Sequence, residues 1–248
     1  MEQSDGTVDL GTTELEKDLG VNIDPNLKFS QHIEIQVNKA NKILGMIRRS
    51  YEYLDADNVK KLFVALVRPH LEFCNVAWSP RMIKDRKLIE AVQHRATRLV
   101  AGFQDMSYVE RLKRMDLPSL AYRRVRGDMI EVYKYTHGYY TVNDDMLKVD
   151  EDKTRRGHSY KLKKNYCRTS LRKHFFSFRV VNAWNGLPED VVSSPSVNSF
   201  KSRLDKVWKQ FRFMDVDTEI EKEKIDNEVY DELLNDEDEL DQLTGSVA

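Results

Sequence analysis

Two cysteines, Cys74 and Cys167, in 248 residues are too few for a disulfide-stapled secreted scaffold and point to a reducing, intracellular compartment, nuclear or cytoplasmic. No apolar run approaches the roughly 18 residues of a membrane span. The opening Met1-Glu-Gln-Ser-Asp-Gly lacks the basic start and apolar stretch of a signal peptide. Ten glycines and six prolines supply too few turns for a many-stranded sandwich. Gly-rich phosphate loops of either standard spacing are missing. The six histidines are scattered and neither cysteine has a partner at zinc-binding spacing. Asp144-Asp145 lies in a stretch that reads as a solvated loop, and His158-Ser159 are neighbours in sequence, whereas a nucleophile and its base must meet across a fold. No catalytic residue and no metal ligand is assigned.

What the chain does have is charge, unevenly placed. Residues 1–24 carry a net −6, residues 25–212 a net +17, and residues 213–248 a net −12. A basic body of this size fits a polyanionic partner, and the acidic end either stays solvated or competes for the body.

Periodicity predicts a mainly α protein. Leu19 to Ile23 reads as a short strand followed by a turn at Asp24-Pro25-Asn26. Ser30 is the expected N-cap of a long helix burying Ile33, Val37, Ala40, Leu44, Ile47 and Tyr51, with Gly45 expected to meet another backbone. A second helix from Asp55 or Asp57 is expected to break or kink at Arg68-Pro69. A third, about Lys84 to Ala101, buries Leu88, Val92, Ala96 and Leu99 and ends at Gly102. Ser107 and Glu110 form a capping box for a fourth. A fifth, after Pro118, buries Tyr122, Val125, Met129, Val132 and Thr136. Beyond Gly138 come a loop, a short strand around Ser159 to Leu162, a helix over 170–185 and a last helix from Ser196. The expected organisation is therefore 1–14 disordered, 15–29 strand and turn, 30–138 a helical bundle, 139–212 a basic helical region with a short β element, and 213–248 an acidic, mostly disordered tail.

Positive side chains off the buried stripes are the candidate nucleic-acid contacts: Lys39, Lys42 and Arg49; Arg95 and Arg98; Arg123, Arg124 and Arg126; and Arg155, Arg156, Arg168, Arg172 and Lys173. Such cations neutralise phosphates and release counterions, and exposed aromatic rings between them would stack on unpaired bases. The interleaved Phe175, Phe176 and Trp184 are assigned to the core.

Read in order, Asp18-Leu-Gly-Val-Asn-Ile-Asp24, Leu66-Val-Arg-Pro-His-Leu-Glu72, Ala77-Trp-Ser-Pro80, Gln93-His-Arg-Ala-Thr-Arg98, Leu112-Lys-Arg-Met-Asp-Leu-Pro118, Arg156-Gly-His158 and Phe175-Phe-Ser-Phe-Arg-Val-Val-Asn-Ala-Trp-Asn-Gly-Leu-Pro188 resemble the region after the polymerase palm in LINE-type, non-LTR retrotransposon reverse transcriptases of the jockey-like kind. The resemblance covers about Asp18 to Lys209. It implies that residues 15–29 end the palm, that 30–138 form a thumb-like domain and that 139–212 form a C-terminal domain. In such RNA-directed DNA polymerases, palm aspartates hold Mg2+. This chain has no counterpart of them, so the resemblance implies a fragment that is inactive alone, needs no cofactor of its own, and binds RNA or an RNA-DNA duplex through phosphate contacts. A palm domain or another protein would be a further partner. The alternatives are a domesticated protein-interaction module and a non-functional remnant of a decayed element.

Overall fold

The computed structural model describes residues 13–141, 146–150 and 157–216. The expectations for residues 1–12, for Asp144-Asp145 and for the acidic stretch from 217 onward lie outside them. Helix dominates the described residues, accompanied by one two-stranded antiparallel sheet.

The chain enters as a hairpin, β1 (Glu16–Asp18) paired with β2 (Val21–Ile23) in the register Asp18 to Val21. Leu19, expected in the strand, instead sits in the turn with φ 44° ahead of Gly20 at φ 88°. Two consecutive positive φ values give the turn whose twist matches that of the flanking strands. After it, the Asp24 carboxylate accepts the backbone N–H groups of Asn26, Lys28 and Phe29 at 3.0, 3.2 and 2.7 Å. Burial raises its pKa, but these N–H groups outweigh burial and hold it below the ordinary carboxylate value.

Helix α1 (Ser30–Ser50) buries Ile33, Val37, Ala40, Leu44 and Ile47 as its period predicts. Its N-cap is Phe29, in the left-handed region, and Ser30 does not cap. The Ser30 hydroxyl donates instead to Asp85, 2.7 Å away, because Asp24 already satisfies the backbone leading into the helix. Tyr51, one residue past the helix, is exposed rather than core.

Pro69 does not break the second helix. α2 (Ala56–Leu62), a π-helical turn (Phe63–Val67) and α3 (Arg68–Glu72) follow without interruption. The Arg68 N–H bonds to the Phe63 carbonyl, so the ladder has already slipped by one residue. Pro69, which has no N–H, then falls in the opening turn of α3 where no donor is required. The short α4 (Asn75–Trp78) follows. Trp78 is buried with its Nε1 donating to the Phe73 carbonyl at 2.6 Å.

α5 (Ile83–Thr97), α6 (Tyr108–Met115) and α7 (Leu120–Thr136) complete the first half. The capping box forms as expected: the Glu110 carboxylate accepts the Ser107 N–H at 2.9 Å, and the Ser107 hydroxyl accepts that of Glu110. Burial on α5 falls on Ile89 rather than Leu88, and on α7 Val125 is exposed. These stripes are rotated because charged side chains occupy part of each helix's inner face.

Beyond α7 the expected short strand is a single bridge, Val149 to Leu162. The expected helix over 170–185 is two, α8 (Ser170–Lys173) and α9 (Phe176–Asn185), separated at Phe175, whose backbone is extended. Phe175 is consequently exposed, while Phe176 and Trp184 are core as expected. α10 (Glu189–Val192) and α11 (Val197–Val207) follow, the latter beginning one residue after the expected start at Ser196, whose side chain caps it.

Two apolar cores result. The first runs from Val21 to Leu120 and the second from Met129 to Leu204, with α7 contributing to both. In the second, Trp184 donates from Nε1 to the Tyr160 carbonyl at 2.8 Å, and its own carbonyl accepts from His158 Nε2 at 2.9 Å. Tyr133 stacks on Phe200 and donates to the Ser194 carbonyl at 2.5 Å. The end of the described chain returns to the first core: the Ser119 N–H donates to the Arg212 carbonyl at 3.0 Å, Phe213 packs on that core, and Val216 is buried. The acidic stretch, expected to leave the body at Phe213, is therefore packed through Val216.

Buried polar groups join the elements. Glu90 accepts from the Tyr108 hydroxyl at 2.5 Å and from the N–H groups of Leu120 and Ala121 at 3.2 and 3.1 Å, so it caps α7 from α5. Burial pushes its carboxyl upward against the pull of Arg124, Tyr108 and the two N–H groups. Glu90→Ala strands these donors and the Arg124 charge, and is expected to destabilise the fold by about 3–5 kcal/mol in a denaturant titration. Burial also lowers the pKa values of His32, His137 and His158. The unfolded chain then takes up protons first as pH falls through about 6.5. Their stabilisation is complete above that value and is lost below it. The melting temperature is expected to drop between pH 7.5 and 5.5. A flat profile over that interval would contradict this.

Candidate nucleic-acid interface

Eleven of the thirteen candidate cations are among the described residues and fall into three groups by their place in the fold. On α7, Arg123, Arg124 and Arg126 are structural. Arg123 pairs with Glu72 through Nε and Nη2, the latter at 2.8 Å. Arg126 grips Asp205 of α11 at 2.5 and 2.8 Å. The hydrogen bond to Asp205, ahead of the opposing desolvation, raises the Arg126 pKa. Tyr122 donates to the same Asp205 at 2.8 Å, and burial together with that bond pushes its hydroxyl up to about 12. Arg124 is 5% exposed, and its charge stabilises the ionised forms of Glu90 and Asp128. Asp128 in turn binds Arg179 of α9 through two bonds of 2.9 Å. A phosphate cannot reach Arg124, and would have to displace a carboxylate from Arg123 or Arg126. These three residues are removed from the interface.

The second group lies at the C-terminal ends of α1 and α5, which pack on one another. Asn41, Leu44, Gly45, Arg48, Tyr51, Tyr53, Arg95 and Arg98 line an open groove of about 840 Å³. The Asn41 side chain accepts from Arg95 Nε and Nη2 at 3.2 and 2.9 Å, which holds the guanidinium over the groove without cancelling its charge. Gly45 does not meet another backbone as expected. A Cβ there would find only Arg49 Nη1, at 3.5 Å, so the glycine keeps the groove floor low beneath the arginine. The Ala101 N–H donates to the Leu54 carbonyl at 3.1 Å, tying the segment after α1 to the turn after α5. Tyr51 and Tyr53, 48% and 72% exposed, thereby stand at the rim. Lys39, Lys42 and Arg49 continue the positive surface along the exposed side of α1. Among the described residues no carboxylate pairs with Arg48, Arg49, Arg95 or Arg98; Glu52 is the acidic residue in the lining.

Arginine near a helix C-terminus is favoured by the helix dipole, which explains the placement of Arg48, Arg49 and Arg95 without neutralising them toward an external anion. Sequence reading missed Arg48, Tyr51 and Tyr53. Asn41, Gly45 and Arg48, four and three residues apart on one helix, give the signal that could have found the groove: a small floor flanked by a polar and a cationic side chain.

The third group follows the bridge at Leu162. Arg168, Arg172 and Lys173 are exposed, along with Tyr166 at 87% and Phe175 at 55%. The Arg172 guanidinium lies 5.1 Å from the Phe178 ring centroid, a cation–π contact that fixes its direction. This segment belongs to α8 and its flanks, which pack on α9, and is not part of the α1–α5 groove. Arg155 and Arg156 lie outside the described residues.

The two classes of arginine separate in a stability measurement. Arg126→Ala is expected to lower unfolding free energy by about 2 kcal/mol, since it removes the two charged hydrogen bonds to Asp205 and leaves that carboxylate the Tyr122 hydroxyl. Arg98→Ala is expected to change it by no more than about 0.5 kcal/mol, as for an exposed side chain. Equal effects in urea titrations would contradict the assignment. In comparisons with protein-family models, curated proteins and solved structures, nothing matches this chain.

Proposed function

We propose that this chain binds the sugar-phosphate backbone of structured RNA or an RNA-DNA duplex, as the thumb and post-thumb part of a non-LTR retrotransposon reverse transcriptase. One observation carries the binding: Arg48, Arg95 and Arg98 converge on an open groove, with no carboxylate paired to them among the described residues and two exposed tyrosines at its rim. Guanidinium groups at the surface engage phosphates through paired donors, and the contacts position a duplex without reading its bases. Tyrosine rings at the edge suit an unpaired base where a duplex ends. The ordered sequence blocks from Asp18 to Lys209 supply the family part of the reading.

Among the described residues no group of three or more His, Cys, Asp or Glu is arranged to hold a metal ion. No polymerisation step is part of the proposal, because the sequence resemblance covers the region after the palm aspartates that hold Mg2+ in such polymerases. No helix among the described residues is long and apolar enough to cross a membrane. An intracellular site, nuclear or cytoplasmic, is part of the proposal.

A second reading, docking to a protein such as a palm domain, draws on the exposed apolar side chains of Leu19, Leu66 and Phe73. The Phe73 ring lies 3.2 Å from where a Gly20 Cβ would stand, so the hairpin turn and Phe73 form one exposed apolar surface.

The test is fluorescence anisotropy of the full chain with a labelled RNA-DNA hairpin over a salt series. Affinity is expected to fall steeply with salt, and the triple variant Arg48→Gln, Arg95→Gln, Arg98→Gln to bind at least about tenfold more weakly, with a log–log salt slope shallower by about 3. Binding that ignores salt, or that the triple variant leaves unchanged, would overturn the proposal.

A further inference from the structure

We infer that the acidic segment 217–248 occupies the α1–α5 groove in cis and competes there with nucleic acid. The inference rests on the reading that this groove takes a phosphate backbone, and adds its regulation.

Three observations carry it. The first is charge complementarity. The segment has thirteen acidic and two basic residues, whereas the groove brings together Arg48, Arg95 and Arg98, with Arg49 beside it and Glu52 as its acidic residue. A run of carboxylates presents the groove with the same kind of partner as a run of phosphates.

The second is where the described chain ends. Phe213 packs on the first core and Val216 is buried, so the chain is held against the body up to Val216, the residue that precedes the segment. Asp215 lies beside Lys113, Lys206 and Lys209 in a second open depression, which starts the segment on a positive surface. Asp215 also acts electrostatically on Tyr108. The Tyr108 ring stacks on His94 at 3.5 Å between centroids, and His94 immediately precedes Arg95 on α5.

The third is reach. Thirty-two residues extend to about 105 Å, against a radius of gyration of about 16 Å for a body of roughly 200 residues. Reach is not limiting, and tethering sets a local concentration on the order of millimolar. If the segment holds the groove as weakly as non-specific polyanions are held, on the order of 10⁻⁴ M, an external nucleic acid binds about tenfold more weakly than to an open groove. Both interactions are ionic and weaken together as salt rises.

The experiment uses the full chain in two arms. In the first, anisotropy with the RNA-DNA hairpin at 50 mM salt compares the wild-type chain with a variant carrying Asp231→Asn, Glu232→Gln, Asp236→Asn, Glu237→Gln, Asp238→Asn, Glu239→Gln and Asp241→Asn. The variant is expected to bind about tenfold more tightly, and the advantage to shrink at 300 mM salt. In the second arm, without nucleic acid, a nitroxide at Asn235→Cys in a Cys74→Ser, Cys167→Ser background is expected to broaden the amide signals of Arg48, Arg95 and Arg98 at low salt and release them at high salt. Equal affinities in the first arm with no broadening in the second would overturn the inference while leaving the groove's function intact. If neither chain binds the hairpin, the proposed function fails, and the broadening alone decides whether the segment occupies the groove.

Discussion

Helix α7 is fastened to four other helical segments by charge. Within six residues, Arg123 reaches Glu72 of α3, Arg124 faces the field of Glu90 on α5, Arg126 grips Asp205 of α11, and Asp128 binds Arg179 of α9. Arg179 also donates to the Val76 carbonyl at 2.9 Å, which carries the chain of contacts into α4. Desolvation offsets much of the attraction in such pairs, so they add little net stability over a well-packed apolar alternative. Their consequence is register. A rotation or slide of α7 that would still bury Met129 and Val132 would leave several charges unpaired at once, each at a cost of about 3–5 kcal/mol. Since α7 contributes to both apolar cores, this constraint also fixes how one core sits on the other.

The same constraint sorts the basic residues. The arginines that α7 uses are taken out of circulation, and what remains available to a polyanion is set by helix ends elsewhere. Arg48, Arg49 and Arg95 stand in or near the last turns of α1 and α5, where peptide dipoles hold them in place but cannot fill their donor sites. A net charge of +17 over residues 25–212 therefore overstates the positive charge left unpaired at the surface. The exposed arginines that no carboxylate pairs among the described residues include Arg48, Arg95 and Arg98 at the α1–α5 groove and Arg49 on the outer side of α1.

How much was legible in the sequence follows from the range of the interactions. The α1 stripe from Ile33 to Ile47, the Ser107–Glu110 capping box and the start of the last helix at Ser196, to within one residue, depend on neighbours within four residues, and all were readable. The roles of Arg123 and Arg126 depend on Glu72 and Asp205, 51 and 79 residues away, so a cluster of arginines on one helix read as an external surface. Leu19 looked like a strand residue because its apolar character fits one, while the left-handed turn was signalled by Gly20 alone. Pro69 read as a break because the compensating π-turn has no side-chain signature. Phe175 read as core by its aromatic character, but the extended backbone between α8 and α9 turns it to solvent. The groove was half legible: Arg95 and Arg98 were identified singly, and their convergence with Arg48 needed the packing of α1 on α5.

The account rests on the division between paired and available arginines, and the arginine side-chain Nε–H spectrum of the nitrogen-15-labelled chain, recorded with and without an RNA-DNA hairpin, measures it directly. The signals of Arg123, Arg126 and Arg179 should be protected from exchange in the free protein and unmoved by the hairpin, while those of Arg48, Arg49, Arg95 and Arg98 should exchange rapidly and shift on binding. Shifts confined to the α7 arginines, with the groove arginines unmoved, would contradict it.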